Sequence, residues 1–158
     1  MEYHFSTIDL NETLCDVLRT LQYQFTMERC TVEKNLSDKI PILHADRDAV
    51  FEALINLISN ALKYSSEKKH IMVSTRMHNG FAAIDVTDNG IGIAEDDVKK
   101  IFEPFFRAKS NQSHGVGGAG LGLAIVKHIM DAHCGAIEVQ SILGKGSTFT
   151  LLFPIKEV

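Results

Sequence analysis

The sequence predicts an α+β two-layer sandwich, in which a mixed β-sheet carries about three main helices on one face. Two observations predict this class. Three long segments place apolar residues at helical spacing, and short segments with alternating apolar residues lie between and after them. A length of 158 residues suits one compact core, so we expect residues 1–158 to form a single domain.

The N-terminal part is predicted to be two helices separated by two short strands. Apolar side chains recur every three or four residues from Asp9 to about Arg29, which indicates the first helix, and Asp9 forms a capping pair with Glu12. The strands are expected at Val32–Leu36 and Ile42–Ala45. The second helix is expected over about Asp46–Tyr64.

A β-hairpin is the clearest feature of the middle of the chain. Apolar and polar residues alternate in Ile71–Thr75 and in Ala82–Val86, and Asn79-Gly80 between them favours a tight turn. A short helix is predicted over Ala94–Phe102. The polar, glycine-rich stretch Pro104–Gly118 is predicted to be a mobile loop, and a loop of this length inside a domain is usually functional.

The C-terminal part is predicted to be a third main helix followed by two strands. The helix extends over Leu121–His133, with Gly135 as its C-cap. The strands Ile137–Ile142 and Thr148–Phe153, joined by a turn at Leu143–Gly146, complete the sheet.

Composition and charge exclude several classes of protein. With 45% hydrophobic and 23% charged residues, the chain has the balance of a globular protein. The net charge of −4 argues against a nucleic-acid binder. The chain has no apolar run of the roughly 18 residues that a membrane span needs, and its first residues do not resemble a signal peptide.

The cysteines indicate the compartment. Cys15, Cys30 and Cys134 are odd in number and widely spaced, which fits neither a disulfide framework nor a zinc site. We therefore expect a reducing, cytoplasmic setting. This is compatible with a parent protein anchored in the inner membrane by segments outside this chain.

The second predicted helix carries a polar stripe. Asn56, Asn60 and Lys63 lie at i, i+4 and i+7, so their side chains share one face. Amide oxygens suit Mg²⁺ that is also held by phosphates and water, and a lysine adds a charge for phosphate. The spacing alone fits a pair of surface amides equally well.

Two glycine-bearing segments are further candidates for binding. Asp88 precedes a loop with Gly90 and Gly92, where a carboxylate can accept a hydrogen bond from an exocyclic amine; by itself this is a plain turn. The glycines of segment 115–123 open the third helix, and backbone N–H groups at a helix N-terminus favour phosphate. A polar loop rather than a strand precedes that segment, so a dinucleotide-binding fold is not indicated. Residues 144–147 lack the Walker A spacing and are predicted to be a hairpin turn.

The order and spacing of these segments resemble those of a known family. Together with Phe102-Glu103-Pro104-Phe105-Phe106-Arg107, they resemble the N, G1, F and G2 boxes of the catalytic and ATP-binding domain of sensor histidine kinases, members of the Bergerat-fold GHKL superfamily in two-component systems. The resemblance covers about Ile8 to Pro154. It implies the Bergerat fold, binding of ATP with Mg²⁺, and release of ADP.

The resemblance implies a role for each matching residue. Asn60 would bind Mg²⁺, Asn56 would line the phosphate side, Lys63 would contact phosphate, and Arg107 would reach the γ-phosphate. Asp88 would bind the adenine amine. The other expected nucleotide contacts are Tyr64, Gly90, Gly92, Ile93, Phe102, Gly118, Gly120, Leu121, Gly122 and Thr148.

Two positions modify that expectation. Ala119 stands where the family usually has threonine or serine, so we expect somewhat weaker phosphate or lid contacts. Asn56 stands where the related chaperone and mismatch-repair ATPases carry a glutamate that activates water. An amide cannot act as that base, so we expect ATP to be protected from hydrolysis.

The resemblance also implies partners. We expect an ATP-dependent protein-histidine kinase that phosphorylates a histidine in a separate dimerisation domain, because the seven histidines here lack the family's acceptor context. A response regulator receiver domain would act downstream. We expect no nucleic-acid or membrane contact by this domain, which should be monomeric in isolation. The alternatives are an anti-sigma-type serine kinase and a non-catalytic nucleotide-binding relay module.

Overall fold

The structure, a computed structural model, describes residues 2–65, 67–106 and 121–155. Its elements in chain order are β1 (Ser6–Ile8), α1 (Leu10–Thr20), α2 (Gln22–Met27), β2 (Thr31–Asn35), β3 (Leu43–Ala45), α3 (Arg47–Tyr64), β4 (His70–His78), β5 (Phe81–Asp88), α4 (Glu95–Val98), α5 (Gly122–Ala132), β6 (Ala136–Ile142) and β7 (Gly146–Pro154).

The main sheet is mixed, as predicted. Its strand order is β2-β4-β5-β7-β6; β2 and β4 are parallel, and the other neighbours are antiparallel. Helices α1, α3 and α5 contribute fully buried side chains that pack with those of β4, β5 and β7 in one hydrophobic core. The α+β two-layer sandwich is therefore confirmed.

The hairpin and the helix starts follow the predicted local chemistry. Asn79 and Gly80 both have positive φ, at 48° and 82°, as a type I′ turn requires. The carboxylate of Asp9 accepts a hydrogen bond from the backbone N–H of Glu12 at 3.1 Å, which caps α1. Asp46 caps α3 in the same way through the N–H of Ala49 at 3.0 Å.

The prediction of one continuous first helix was wrong. Helix α1 ends at Thr20, Leu21 is the cap between the two helices with φ −91° and ψ 0°, and α2 ends at Met27 rather than continuing to Arg29. Arg29 has a φ of 54°, and the N–H of Cys30 bonds the carbonyl of Phe25 at 2.8 Å. This left-handed closure turns the chain towards β2, and apolar periodicity carries no signal for it.

Two other short elements differ from the prediction. The predicted helix over Ala94–Phe102 is reduced to Glu95–Val98. The backbone N–H groups that bond the third rather than the fourth preceding residue are those of Asp97, Lys100, Glu103 and Phe106. Strand β1 was not predicted. It pairs antiparallel with β3, and only Ile8 of its three residues is buried, so no alternation marks it.

Gly135 is not the cap of the third main helix. His133 is the C-cap, and Cys134 takes the left-handed conformation with a φ of 57°. A Cβ on Gly135 would lie 2.2 Å from the carbonyl oxygen of Leu152. Glycine is required there because the end of α5 approaches β7 too closely for any side chain.

Helices α3 and α5 pack side by side and run in opposite directions. Gly122 at the start of α5 lies next to Asn56 in the middle of α3, and His133 at the end of α5 lies next to Asp46. Among the described residues, none of the helices is both long enough and apolar enough to cross a membrane.

The imidazole of His133 joins the C-terminal end of α5 to the N-terminal end of α3. Its Nε2 accepts a hydrogen bond from the backbone N–H of Asp46 at 3.0 Å, and its Nδ1 lies 2.8 Å from the carbonyl oxygen of Ile129. The ring is therefore neutral, with its proton on Nδ1. It stacks on Phe5 at 4.7 Å between centroids, so it also fixes the N-terminal segment.

Replacing His133→Ala should lower the free energy of unfolding by about 2–4 kcal/mol, because it strands a buried N–H and opens a cavity. Urea denaturation followed by circular dichroism measures this change. The matched control is His128→Ala on the exposed side of the same helix, for which we expect less than about 0.5 kcal/mol. Equal losses in the two variants would contradict the role of His133.

Candidate nucleotide-binding site

A cavity of about 390 Å³ lies between α2, α3, the loop after β5, the start of α5 and the start of β7. Its lining residues are Gln24, Glu28, Asn56, Ser59, Asn60, Lys63, Tyr64, Asp88, Gly92, Ile93, Ile101, Phe106, Leu121, Gly122, Leu123, Ser147 and Phe149. The cavity thus brings together most of the residues that the sequence predicted for nucleotide binding.

Helix α3 contributes the polar wall. The amide nitrogen of Asn56 donates to the carbonyl of Glu52 at 2.9 Å, so this side chain is fixed. Asn60 and Lys63 face the same cavity and have no hydrogen bond or ion pair to any described residue. Their polar atoms are available to a ligand, because the opposite face of α3 is buried in the core.

The carboxylate of Asp88 is held by backbone N–H groups of its own loop and of β7. Its Oδ1 accepts hydrogen bonds from the backbone N–H groups of Gly90 at 2.8 Å and Ser147 at 3.3 Å. No described residue donates to Oδ2, so this oxygen is available on the cavity side. Burial raises the pKa of Asp88, and the two N–H groups partly offset this effect.

The glycines after Asp88 allow close backbone packing. A Cβ on Gly90 would lie 2.0 Å from the carbonyl oxygen of Tyr64, and one on Gly92 would lie 2.2 Å from that of Ile142. Gly92 lines the cavity, whereas Gly90, also predicted to contact nucleotide, is not among the lining residues. The N–H of Ile91 donates to the same Tyr64 carbonyl at 3.1 Å, which joins the loop to the last turn of α3.

Two serines, Ser141 and Ser147, hold the loop after β5 in place. The hydroxyl of Ser141 lies 2.7 Å from that of Ser147 and accepts the N–H of Ile93 at 2.7 Å. The structure therefore brings Ser147 into the cavity lining. Thr148, the predicted residue, lies outside the lining, and its hydroxyl pairs with Thr87 at 3.0 Å.

The Phe-rich segment forms part of the apolar floor. Phe102 does not line the cavity but packs edge-on against Phe149, which does, with ring centroids 6.5 Å apart. Ile101 and Phe106 reach the cavity directly. An apolar floor beside the carboxylate of Asp88 suits a flat, aromatic base with one amine.

Several predicted residues lie outside the part of the chain that the structure describes. Arg107, Gly118 and Gly120 fall in the segment 107–120, as do Ala119 and most of the predicted loop. Leu121 and Gly122, which follow it, line the cavity at the start of α5.

Besides Ser147, sequence reasoning missed three polar residues of the lining. Ser59 lies three residues after Asn56 on the same face of α3, so the helical spacing could have identified it. Gln24 comes from α2 and Glu28 is the C-cap of that helix; both are remote in sequence from the other lining residues, and no local pattern marks them.

The residues present fit a magnesium ion shared with phosphates. Asn60 offers an unengaged amide oxygen in the cavity, and Mg²⁺ usually keeps several waters and few protein ligands when phosphates bind it. No group of three or more histidine, cysteine or acidic side chains among the described residues forms a cage for a metal without nucleotide.

Comparison with known proteins agrees with this site. Residues 45–157 match the family described as histidine kinase-, DNA gyrase B- and HSP90-like ATPase. The sensor-like histidine kinase SenX3 of Mycolicibacterium smegmatis is 48% identical over 109 residues, which are 69% of this chain and 28% of that protein. The chain thus spans little more than a quarter of that relative's length.

Solved structures show the same fold. The catalytic domain of histidine kinase ThkA matches with a TM-score of 0.82 and 27% identity, covering 96% of this chain and 97% of that one. ThkA in complex with the response regulator protein TrrA matches with a TM-score of 0.80 and 25% identity, covering 96% and 42%.

The family match covers most of this chain, and the matched region includes every lining residue of the cavity except Gln24 and Glu28. The chain therefore belongs to the histidine kinase-, DNA gyrase B- and HSP90-like ATPase family, as an ATP-binding catalytic domain of the sensor histidine kinase type.

Proposed function

We propose that this domain binds ATP with Mg²⁺ and transfers the γ-phosphoryl group to a histidine on a separate dimerisation domain in two-component signalling. One observation carries the proposal. The fixed carboxylate of Asp88 and the polar face of α3 line the same cavity. Asn56 and Tyr64, at the two ends of that face, are about 12 Å apart along the helix axis.

In this proposal, the chain's own residues act by positioning and electrostatics. Asp88 accepts a hydrogen bond from the adenine amine, which an oxo group at that position cannot supply. Lys63 places a positive charge beside the phosphates. Asn60 ligates Mg²⁺, which when bound would neutralise phosphate charge and fix the phosphate geometry. Arg107 is proposed to reach the γ-phosphate.

The acceptor histidine is proposed to lie outside this chain. None of the histidines in the described residues lines the cavity, and His133 is committed to structural hydrogen bonds. Domain-to-domain transfer would then deliver the phosphoryl group to that histidine. A response regulator would receive it next, as the complex of ThkA with TrrA suggests for that kinase.

Asp88→Asn should weaken ADP binding by roughly 10- to 100-fold, the range for losing a hydrogen bond to a charged group. The single amide oxygen must serve the N–H groups of Gly90 and Ser147, so the NH₂ group replaces Oδ2 on the cavity side. The NH₂ group of the new side chain and the adenine amine, both hydrogen-bond donors, then face each other. Calorimetric titration measures the loss, and Asp96→Asn, on the exposed surface of α4, is the control.

The same variant should bind GDP better relative to ADP, because an amide donor suits the oxo group of guanine. Unchanged ADP affinity in Asp88→Asn, with the control also unchanged, would exclude Asp88 as the adenine contact.

Asn60→Ala should leave Mg²⁺-free ADP binding nearly unchanged and reduce the strengthening by Mg²⁺ about tenfold, which corresponds to about 1.4 kcal/mol for one lost ligand. Titrations with and without Mg²⁺ separate the two effects. Asn35→Ala, on the exposed edge strand β2, is the matched control. A full Mg²⁺ effect in the variant would show that the ion binds elsewhere.

The isolated domain should release phosphate from ATP and Mg²⁺ only at background rate. The amide of Asn56 cannot accept a proton from water, and it is already bonded to the backbone of α3. A coupled phosphate-release assay tests this, with Asn60→Ala revealing any contaminating ATPase. Rapid hydrolysis that disappears in Asn60→Ala would contradict phosphoryl transfer to a separate acceptor.

A further inference from the structure

One wall of the nucleotide cavity is unused by the proposed function. Gln24 in α2 and Glu28, the C-cap of that helix, both line the cavity. The backbone N–H of Glu28 still donates to the carbonyl of Gln24 at 3.0 Å, so the two side chains lie on the same side of the chain. This wall is thus an amide and a carboxylate that face the ligand together.

Glu28 is anchored to the part of α3 that contacts the nucleotide. Its Oε1 lies 3.4 Å from the ammonium group of Lys69, which donates to the carbonyl oxygen of Leu62 at 2.8 Å. The side chain of Lys69 is only 19% exposed. The carboxylate therefore has a defined position beside the last turn of α3.

Both side chains keep hydrogen-bonding capacity for a ligand. No described residue forms a hydrogen bond with Glu28 Oε2 or with the side-chain amide of Gln24. The Lys69 ion pair balances the charge of Glu28 without occupying both carboxylate oxygens.

The contacts of Glu28 with α3 indicate which part of a bound nucleotide would lie beside this wall. The base end is marked by Asp88 and by the loop bonded to the Tyr64 carbonyl, and the phosphate end by Asn56 beside the start of α5. Glu28 is tied through Lys69 to Leu62, two residues from Tyr64 on one side and two from Asn60 on the other. A nucleotide extended between those ends has its ribose there.

The chemistry of the wall selects the same part of the ligand. A carboxylate repels phosphate, and the adenine amine is already taken by Asp88. The ribose diol offers two hydroxyl donors, and in dinucleotide-binding folds a carboxylate accepts the ribose 2′-hydroxyl. We propose that Glu28 and Gln24 hydrogen-bond the ribose hydroxyls and make the site selective for ribonucleotides over 2′-deoxyribonucleotides, an inference that rests on the proposed ATP site.

The test compares ADP, 2′-deoxy-ADP and 3′-deoxy-ADP by calorimetric titration of the wild-type domain and its variants. Wild type should bind ADP roughly tenfold or more tightly than at least one deoxy analogue. Glu28→Ala should bring that ratio close to one, mainly by weakening ADP. Gln24→Ala should lower it severalfold.

Two further variants serve as controls. Glu28→Gln keeps the shape and one acceptor oxygen, so it should give an intermediate ratio even if Glu28→Ala is poorly folded. Tyr23→Ala lies on the same helix, exposed and outside the cavity lining, and should keep the wild-type ratio.

The outcomes are distinct. Equal binding of ADP and both deoxy analogues by wild type would overturn the ribose contact while leaving the ATP site standing. A uniform loss of affinity in Glu28→Gln and Gln24→Ala, with the ratio preserved, would also overturn it and assign the pair a structural role. No binding of any adenine nucleotide by wild type would overturn the proposed function and this inference together.

Discussion

The nucleotide cavity depends on one backbone junction, between the last turn of α3 and the loop after β5. The carbonyl of Tyr64 accepts the N–H of Ile91 at 3.1 Å, and Gly90 lies so close to it that no side chain fits. This junction sets the polar face of α3 beside Asp88. Without it, the amide and lysine side chains and the carboxylate would belong to separate surfaces. The two elements are remote in sequence, so the binding site is a product of tertiary structure.

The two ends of the helix pair α3 and α5 have different roles: one end borders the cavity, and the other holds the fold together. At one end, Gly122 and Asn56 border the cavity. At the other end, His133, Asp46 and the aromatic N-terminal segment form buried hydrogen bonds and ring contacts. The side chains of His133 and Asp46 are already hydrogen-bonded at the stabilising end, whereas Asn60 and Lys63 at the binding end keep unused donors and acceptors. That difference distinguishes a structural histidine from a ligand-binding residue more reliably than residue type does.

Most of the fold could be predicted because its signals are local. Apolar periodicity identified the main helices, and alternation with an Asn-Gly turn identified the hairpin. The end of α2 before Arg29 and the shortness of α4 come from local hydrogen bonding that apolar periodicity does not mark. Two other errors depend on contacts remote in sequence. Gly135 is glycine because Leu152 lies beside it, and β1 exists because β3 is available to pair.

The residues of the candidate site likewise divide into those that local sequence spacing identifies and those that only the tertiary fold brings together. The stripe on α3 and the Asp88 loop could be found from spacing within single segments. The α2 wall could not, because Gln24 and Glu28 have ordinary surface identities until the fold brings them to the cavity. Ser147 is an intermediate case. The predicted strand included its neighbour Thr148, but in a strand adjacent residues face opposite sides, so only the register decided which one lines the site.

The side chain of Asp88 is placed for ligand binding in a way that lowers the stability of the empty domain. Burial raises its pKa in the folded state, so the folded domain favours the protonated form more than the unfolded chain does. The stability from this group is therefore fully present below its unfolded pKa and is lost as pH rises through its folded pKa. At neutral pH the ionised carboxylate is a cost to the empty domain, which the N–H groups of Gly90 and Ser147 only partly offset. An adenine amine bound at Oδ2 would supply the missing donor, so ligand binding would lower this pKa and stabilise the fold through the same oxygen that selects the base.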